Sequence, residues 1–198
     1  MITSQVEKNK YIKEDLKAIT FKYRLFKPQS FLAYFFQYQY AFLYRYLYHL
    51  RNAEYTYNCK PPLWKIRYFY HNWRMRIMAN KLGNIEIPIN TLGYVTRFPH
   101  IGKIIINKDA SIGNYCTIYP GVCIGKKENG EVPKIGNHCY IGIGAKIIGK
   151  VTVPDNSIIA PNAVVIKCTE SNSVVLGGIP AKILKVLTPI LQHNDTSR

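Results

Sequence analysis

The chain has 198 residues, of which 47% are hydrophobic, an ordinary share for a globular protein. Its formal net charge of +16 is not ordinary, and so basic a surface suits phosphates, anionic lipid or nucleic acid as neighbours. No apolar run reaches the roughly 18 residues of a membrane-spanning helix, Met1–Tyr11 is too polar for a signal peptide, and five Cys without a C-x-x-C pair speak for reduced thiols in a cytoplasmic protein rather than a disulfide framework or zinc site.

Ser4-Gln-Val-Glu7 has the spacing of a capping box and predicts a helix running towards Ile19. Phe31–Leu50, free of Gly and Pro, predicts a second helix. Pro61-Pro62 breaks the chain, and Leu63–Leu82 predicts a third. Every Gly lies at residue 83 or later, which places a domain boundary near Gly83. The expected organisation is a helical N-terminal domain over 1–82, a second domain over 83–188 and a flexible tail over 189–198. The charge divides unequally: residues 1–82 hold 15 Lys/Arg against 4 Asp/Glu, residues 83–198 hold 12 against 7. Phe31–Leu50 carries aromatics all round. It reads as a helix buried against neighbours or at a subunit interface, with peripheral contact to an anionic membrane as the second reading. No nucleic acid is expected, because the basic residues are dispersed and no nucleic-acid motif appears.

Beyond Gly83 the dominant signal is a six-residue beat. A branched aliphatic stands at Ile135, Ile141, Ile147, Val153, Ile159 and Val165. Ile106, Ile112, Ile118 and Ile124 keep the same spacing upstream, as do Leu92 and Phe98. A helix repeats near 3.6 residues and a half-buried strand at two, so neither explains a beat of six. A short strand followed by a corner does. Three such units close a triangular coil of about eighteen residues, and stacked coils bury one another's inward faces. The small residues four places after the beat, among them Ala110, Cys116, Cys139, Ala145, Ser157 and Ala163, fit the corners.

The beat breaks twice. Phe98 to Ile106 is an eight-residue step containing His100, and Ile124 to Ile135 is an eleven-residue step containing Lys126–Pro133. Breaks in a solenoid are candidate sites. His100 is a candidate general base, because imidazole titrates near neutrality; an irregular structural turn is the competing reading. His138 falls at a coil corner, exposed to water.

Several ordered motifs resemble the hexapeptide-repeat acyltransferases, in the branch that holds serine acetyltransferases and the O-acetyltransferases of polysaccharide biosynthesis. They are Ile12-Lys-Glu-Asp-Leu-Lys-Ala18, Ile87-Pro88 with Leu92-Gly93 and Pro99-His100, Ile104-Ile-Ile-Asn107, Ile141-Gly-Ile-Gly-Ala-Lys146, and Gly178-Ile-Pro-Ala-Lys182. The resemblance implies a mainly β fold, a left-handed parallel β-helix behind an N-terminal α-helical domain, assembled as a homotrimer. It implies acetyl-CoA as co-substrate and no metal. It makes His100 the catalytic base, with Gly144, Ala145 and Pro161 along the pantetheine groove and Lys167, Lys182 and Lys185 at the nucleotide phosphates. Glu86 and Arg97 become candidate substrate-binding residues.

Three positions depart from the serine acetyltransferase pattern. Ile85 stands where that pattern has an Asp fifteen residues before the catalytic His, Val132 where it has a second His, and Pro99 where it has an Asp. These departures point to a carbohydrate acceptor: acetylation of a sugar hydroxyl in capsule or exopolysaccharide biosynthesis, in the cytoplasm or at the inner face of the cytoplasmic membrane. Serine O-acetyltransferase of cysteine biosynthesis is the alternative. A zinc-dependent carbonic anhydrase built on related coils lacks its third His, and a non-enzymatic scaffold would leave His100 dispensable.

Overall fold

The computed structural model describes residues 1–20, 38–128, 130–167 and 173–187. Among the described residues three helices come first: α1 (Gln5–Thr20), α2 (Tyr38–Cys59) and α3 (Trp64–Lys81). The capping signal at Ser4 is realised with one shift. Glu7 N–H donates to Ser4 Oγ at 3.1 Å, while the Glu7 carboxylate accepts from Thr3 N–H and Thr3 Oγ1 at 2.7 Å each. The expected second helix differs at both ends. Residues 31–37 lie outside the described residues, and α2 runs on past Leu50 to Cys59. Nothing between Leu50 and Pro61 breaks a helix, and the polar run Arg51-Asn-Ala-Glu54 that looks like a solvated end is buried instead.

Thirteen short strands follow among the described residues. They stack as three parallel faces of a coil. One face orders β1 (Ile85–Glu86), β2 (Ile104–Ile106), β5 (Cys123–Gly125), β8 (Lys146–Ile148) and β11 (Val164–Val165). A second orders β3 (Ser111–Ile112), β6 (Lys134–Ile135) and β9 (Thr152–Val153). The third orders β4 (Thr117–Ile118), β7 (Tyr140–Ile141), β10 (Ile158–Ile159), β12 (Val174–Gly178) and β13 (Ala181–Val186). The beat residues form the core columns: Ile106–Ile124–Ile147–Val165, Ile112–Ile135–Val153 and Ile118–Ile141–Ile159–Leu176 pair in register. All of them are buried, as are the small corner residues Ala110, Cys116, Cys139, Ala145, Ser157 and Ala163. Each fully buried Ile or Val contributes about 1.5–3 kcal/mol by transfer from water.

The two breaks lengthen single coils without disturbing the register: Leu92 still meets Ile112 and Arg97 still meets Thr117 across the first, and Ile124 still meets Ile147 across the second. Extra residues leave the coil as loops. The stack ends in an antiparallel hairpin, β12 against β13, closed through a cis Ile179–Pro180 bond.

The helices are joined to the first coil by a buried charge cluster. Arg51 on α2 is fully buried. Its Nε donates to Asp15 Oδ2 at 2.8 Å and its Nη1 to Glu54 Oε2 at 3.1 Å, while Nη1 and Nη2 also donate to the carbonyls of Leu92 and Gly93 at 2.8 and 2.7 Å. Both carboxylates reach the coil in turn: Asp15 Oδ1 accepts from Val95 N–H at 2.7 Å and Glu54 Oε1 from Asn90 N–H at 2.9 Å. Tyr46 adds a contact to the Ile87 backbone at 3.3 Å. Every donor and carboxylate of the cluster thus has a partner, the condition under which buried charge is tolerated.

Candidate active site

The eight-residue step from Phe98 to Ile106 adds two residues to the beat, and those residues bring His100 to the surface. Phe98 points into the core, whereas Arg97 and His100 are exposed. The loop is held at both ends. Tyr40 Oη on α2 donates to Pro99 O at 3.4 Å, and Gly121 N–H donates to Lys103 O at 2.6 Å. Gly102 lies so close to the next coil that a Cβ there would meet Pro120 Cβ at 2.8 Å, so only Gly lets the loop seat.

Tyr119, one coil along, has its ring centroid 6.0 Å from that of His100, and Tyr119 in turn lies 5.2 Å from Tyr140. Neither tyrosine is among the residues the sequence singles out. The available signal was the coil length: one turn of the solenoid beyond Pro99-His100 lies Tyr119-Pro120. Among the described residues no hydrogen bond or ion pair reaches His100. The position fifteen residues upstream, Ile85, is buried in the core of β1. Arg97 bridges Thr117 and heads the outward row that continues through Tyr140 and Ile158. Glu86 lines a groove between α3 and β1 with Tyr46, Asn72, Arg76 and Pro88.

The residues expected along a coenzyme groove gather at one corner. Gly144 has φ +71 and is stacked between Gly121 and Asn162; a Cβ at this position would meet Asn162 Oδ1. Pro161, exposed, belongs to the adjoining corner. Ala145 is fully buried with its N–H and C=O already bonded to Gly142 O and Cys123 N–H, so its side chain faces the core rather than a ligand. Lys146, which sequence reasoning passed over as a site residue, donates from Nζ to Gly144 O at 2.7 Å and Gly121 O at 3.1 Å and so holds a cation at this corner.

Lys182 and Lys185 are three apart on β13, which on a regular strand would put them on opposite faces. They oppose Gly177 and Val175, two residues apart on β12, because the register shifts between Val175 and Leu176. The extra residue turns both lysines to one face. Lys167 is exposed just after β11. Point charges of this kind suit phosphate. Among the described residues no group of three or more His, Cys, Asp or Glu could hold a metal ion.

Comparison with known proteins bears on the reaction. The family model "Bacterial transferase hexapeptide (six repeats)" matches residues 133–167. A serine acetyltransferase of Helicobacter pylori is 30% identical over 138 residues, 68% of this chain and 81% of that protein. A serine acetyltransferase of Synechococcus elongatus is 31% identical over 111 residues, 54% of this chain but only 45% of the relative. The solved serine acetyltransferase of Brucella abortus in complex with coenzyme A superposes with a TM-score of 0.67 at 20% identity, covering 93% of this chain and 70% of that one. These findings overturn the expectation of a carbohydrate acceptor and a role in capsule or exopolysaccharide synthesis. The relatives act on serine, and the three departures at Ile85, Pro99 and Val132 do not outweigh matches that span most of the chain. Among the described residues no helix is long and apolar enough to cross a membrane.

Proposed function

The chain belongs to the bacterial hexapeptide-repeat transferases, and from that premise we propose that it is an acetyl-CoA-dependent serine O-acetyltransferase with His100 as general base. The observation that carries the reading is the placement of His100: a loop made by two added residues, clamped by Tyr40, Gly102 and Gly121, presents one imidazole at the surface of the coil beside Tyr119.

A hydroxyl is a poor nucleophile at neutral pH. His100 takes the hydroxyl proton as the serine oxygen forms its bond to the thioester carbonyl carbon. The C–S bond then breaks, and the proton passes from the imidazole to the departing thiolate. General base catalysis of this kind contributes about 10²–10⁴ in rate. Arg97, three residues away and exposed, suits the serine carboxylate, to which a guanidinium can donate two parallel hydrogen bonds. Gly144, Pro161 and Lys146 suit the pantetheine arm, and Lys167, Lys182 and Lys185 the nucleotide phosphates. Within one chain His100 stands open to water, so a second wall is needed to exclude it. The left-handed coil and homotrimer implied by the family resemblance would supply that wall from the coil of a neighbouring subunit.

The test is thiol release from acetyl-CoA with free serine, for the unaltered chain and for His100→Ala. The expected result is serine-dependent release that falls by about 10²–10⁴ in the variant. Equal rates in both proteins would remove His100 from the mechanism. Failure of serine to stimulate release at any concentration would overturn the acceptor.

A further inference from the structure

The helix α3 has two apolar faces: one packs on the core, and the other is largely exposed, with Tyr70 at its edge against His49. Met75 and Met78 are buried against the core. On the opposite side Ile66, Phe69, Tyr70, Trp73 and Ile77 follow one another at i, i+3, i+4, i+7 and i+11, the spacing of a single continuous stripe. They are 68%, 74%, 47%, 51% and 41% exposed. Scattered exposed apolar residues are ordinary, but a stripe of five on one helix, three of them aromatic, is not.

The charge around the stripe selects its occupant. The helix carries five basic residues and no acidic one. At about 100° per residue, Lys65 and Arg76 fall along one edge of the stripe and Arg67 along the other. Aromatic residues centred between cations are the pattern of a helix lying in a membrane interface, with rings at the headgroup level and Lys/Arg towards anionic headgroups. A second copy of the chain fits less well, since pairing two such faces would set the flanking cations Lys65, Arg67 and Arg76 against their like. We propose that the outward face of α3 docks on an anionic lipid bilayer, the helix lying in the plane of the surface. The proposal is independent of the acceptor and of His100.

Flotation of the full chain with vesicles tests it. The probes are phosphatidylcholine alone and phosphatidylcholine with about 30% phosphatidylglycerol, each at low and high salt. The chain is expected to float with the anionic vesicles at low salt, to be released at high salt, and to stay in solution with phosphatidylcholine alone. Phe69→Glu/Trp73→Glu should abolish flotation. Lys65→Glu/Arg67→Glu should weaken it more than about tenfold, since each basic residue near such a surface is worth about fivefold in affinity. All four positions are outside the core, and an unchanged far-UV spectrum and melting temperature verify that both variants fold. The proposal fails if the chain ignores both vesicle types, or if Phe69→Glu/Trp73→Glu floats as well as the parent. It also fails if that variant, without lipid, loses a self-association seen in the parent by sedimentation, since a second copy would then cover the stripe.

Discussion

In the coil region each apolar side chain does what its neighbours above and below also do. Ile118, Ile141, Ile159 and Leu176 form one column, and no member is special. The helical block is organised differently. Its junction with the first coil depends on a single guanidinium, Arg51, which satisfies two carboxylates and two backbone carbonyls at once. Repetition distributes stability over many equivalent contacts of about 1.5–3 kcal/mol each, whereas a buried ion cluster concentrates it in one residue whose loss strands its partners. The contrast predicts different sizes and different spreads of damage.

The largest effect is expected at Arg51. Arg51→Met leaves Asp15 and Glu54 buried without their cation, which costs about 3–5 kcal/mol, read as a drop in the urea midpoint. Replacing the carboxylates as well, in Arg51→Met/Asp15→Leu/Glu54→Leu, should recover only part of that loss. Asp15 and Glu54 also accept from Val95 and Asn90 N–H, and those buried donors would be orphaned. Full recovery in the triple variant would show that the cluster acts as a plain ion triad and that the backbone contacts are incidental.

Next comes the centre of a column. Ile141→Ala is expected to cost about 3 kcal/mol, and Ile141→Val about 1 kcal/mol. Hydrogen exchange sharpens the comparison. In a stack whose units contact only their neighbours, protection should fall in the coils flanking Ile141 while the helices keep theirs. Arg51→Met should do the reverse, exposing amides in α1, α2 and the Asn90–Val95 segment while the distal coils stay protected.

A smaller effect is expected at the first helix. Ser4→Ala removes the acceptor for Glu7 N–H and should cost about 1 kcal/mol. Because Glu7 caps Thr3 rather than Ser4, Glu7→Gln keeps an acceptor for Thr3 N–H and should cost less than Ser4→Ala.

These two regions were not equally legible in the sequence. The core columns, the corner residues and both breaks follow from a beat that needs no long-range information, so Ile106 through Val165 could be assigned to inward positions residue by residue. The helical block hid its main device because Asp15, Arg51 and Glu54 are brought together only by docking; in sequence the run Arg51–Glu54 reads as a polar helix end. The site divides the same way. His100 was visible because it interrupts a period. Tyr119 was not, because its relation to His100 depends on how long the intervening coil is. The shared face of Lys182 and Lys185 depends on a bulge that no local pattern announces. Glu86 lines a groove with residues of α2 and α3, which the sequence around it does not announce.

The smallest prediction concerns His49 on α2 and His71 on α3, whose Nδ1 atoms lie 2.8 Å apart. One nitrogen must donate and the other accept, so the pair is whole only while at least one ring is neutral at that atom. Burial lowers the pKa of both to about 4, with the neighbouring His71, Arg74 and Arg45 adding to the effect at His49 and Arg67 and Lys8 at His71. A histidine whose folded pKa lies below its unfolded value near 6.5 stabilises the fold above that unfolded value, and the contribution is lost as pH falls from there towards 4. His71 is only half-buried, so solvent screening keeps the change small, below about 1 kcal/mol between pH 7 and pH 5. The urea midpoint of the parent should therefore fall over that interval by more than that of His71→Gln. The other titratable groups are common to both proteins and cancel in the difference. Identical pH profiles would mean that water already enters between α2 and α3 and that the histidine pair contributes nothing to holding the two helices together.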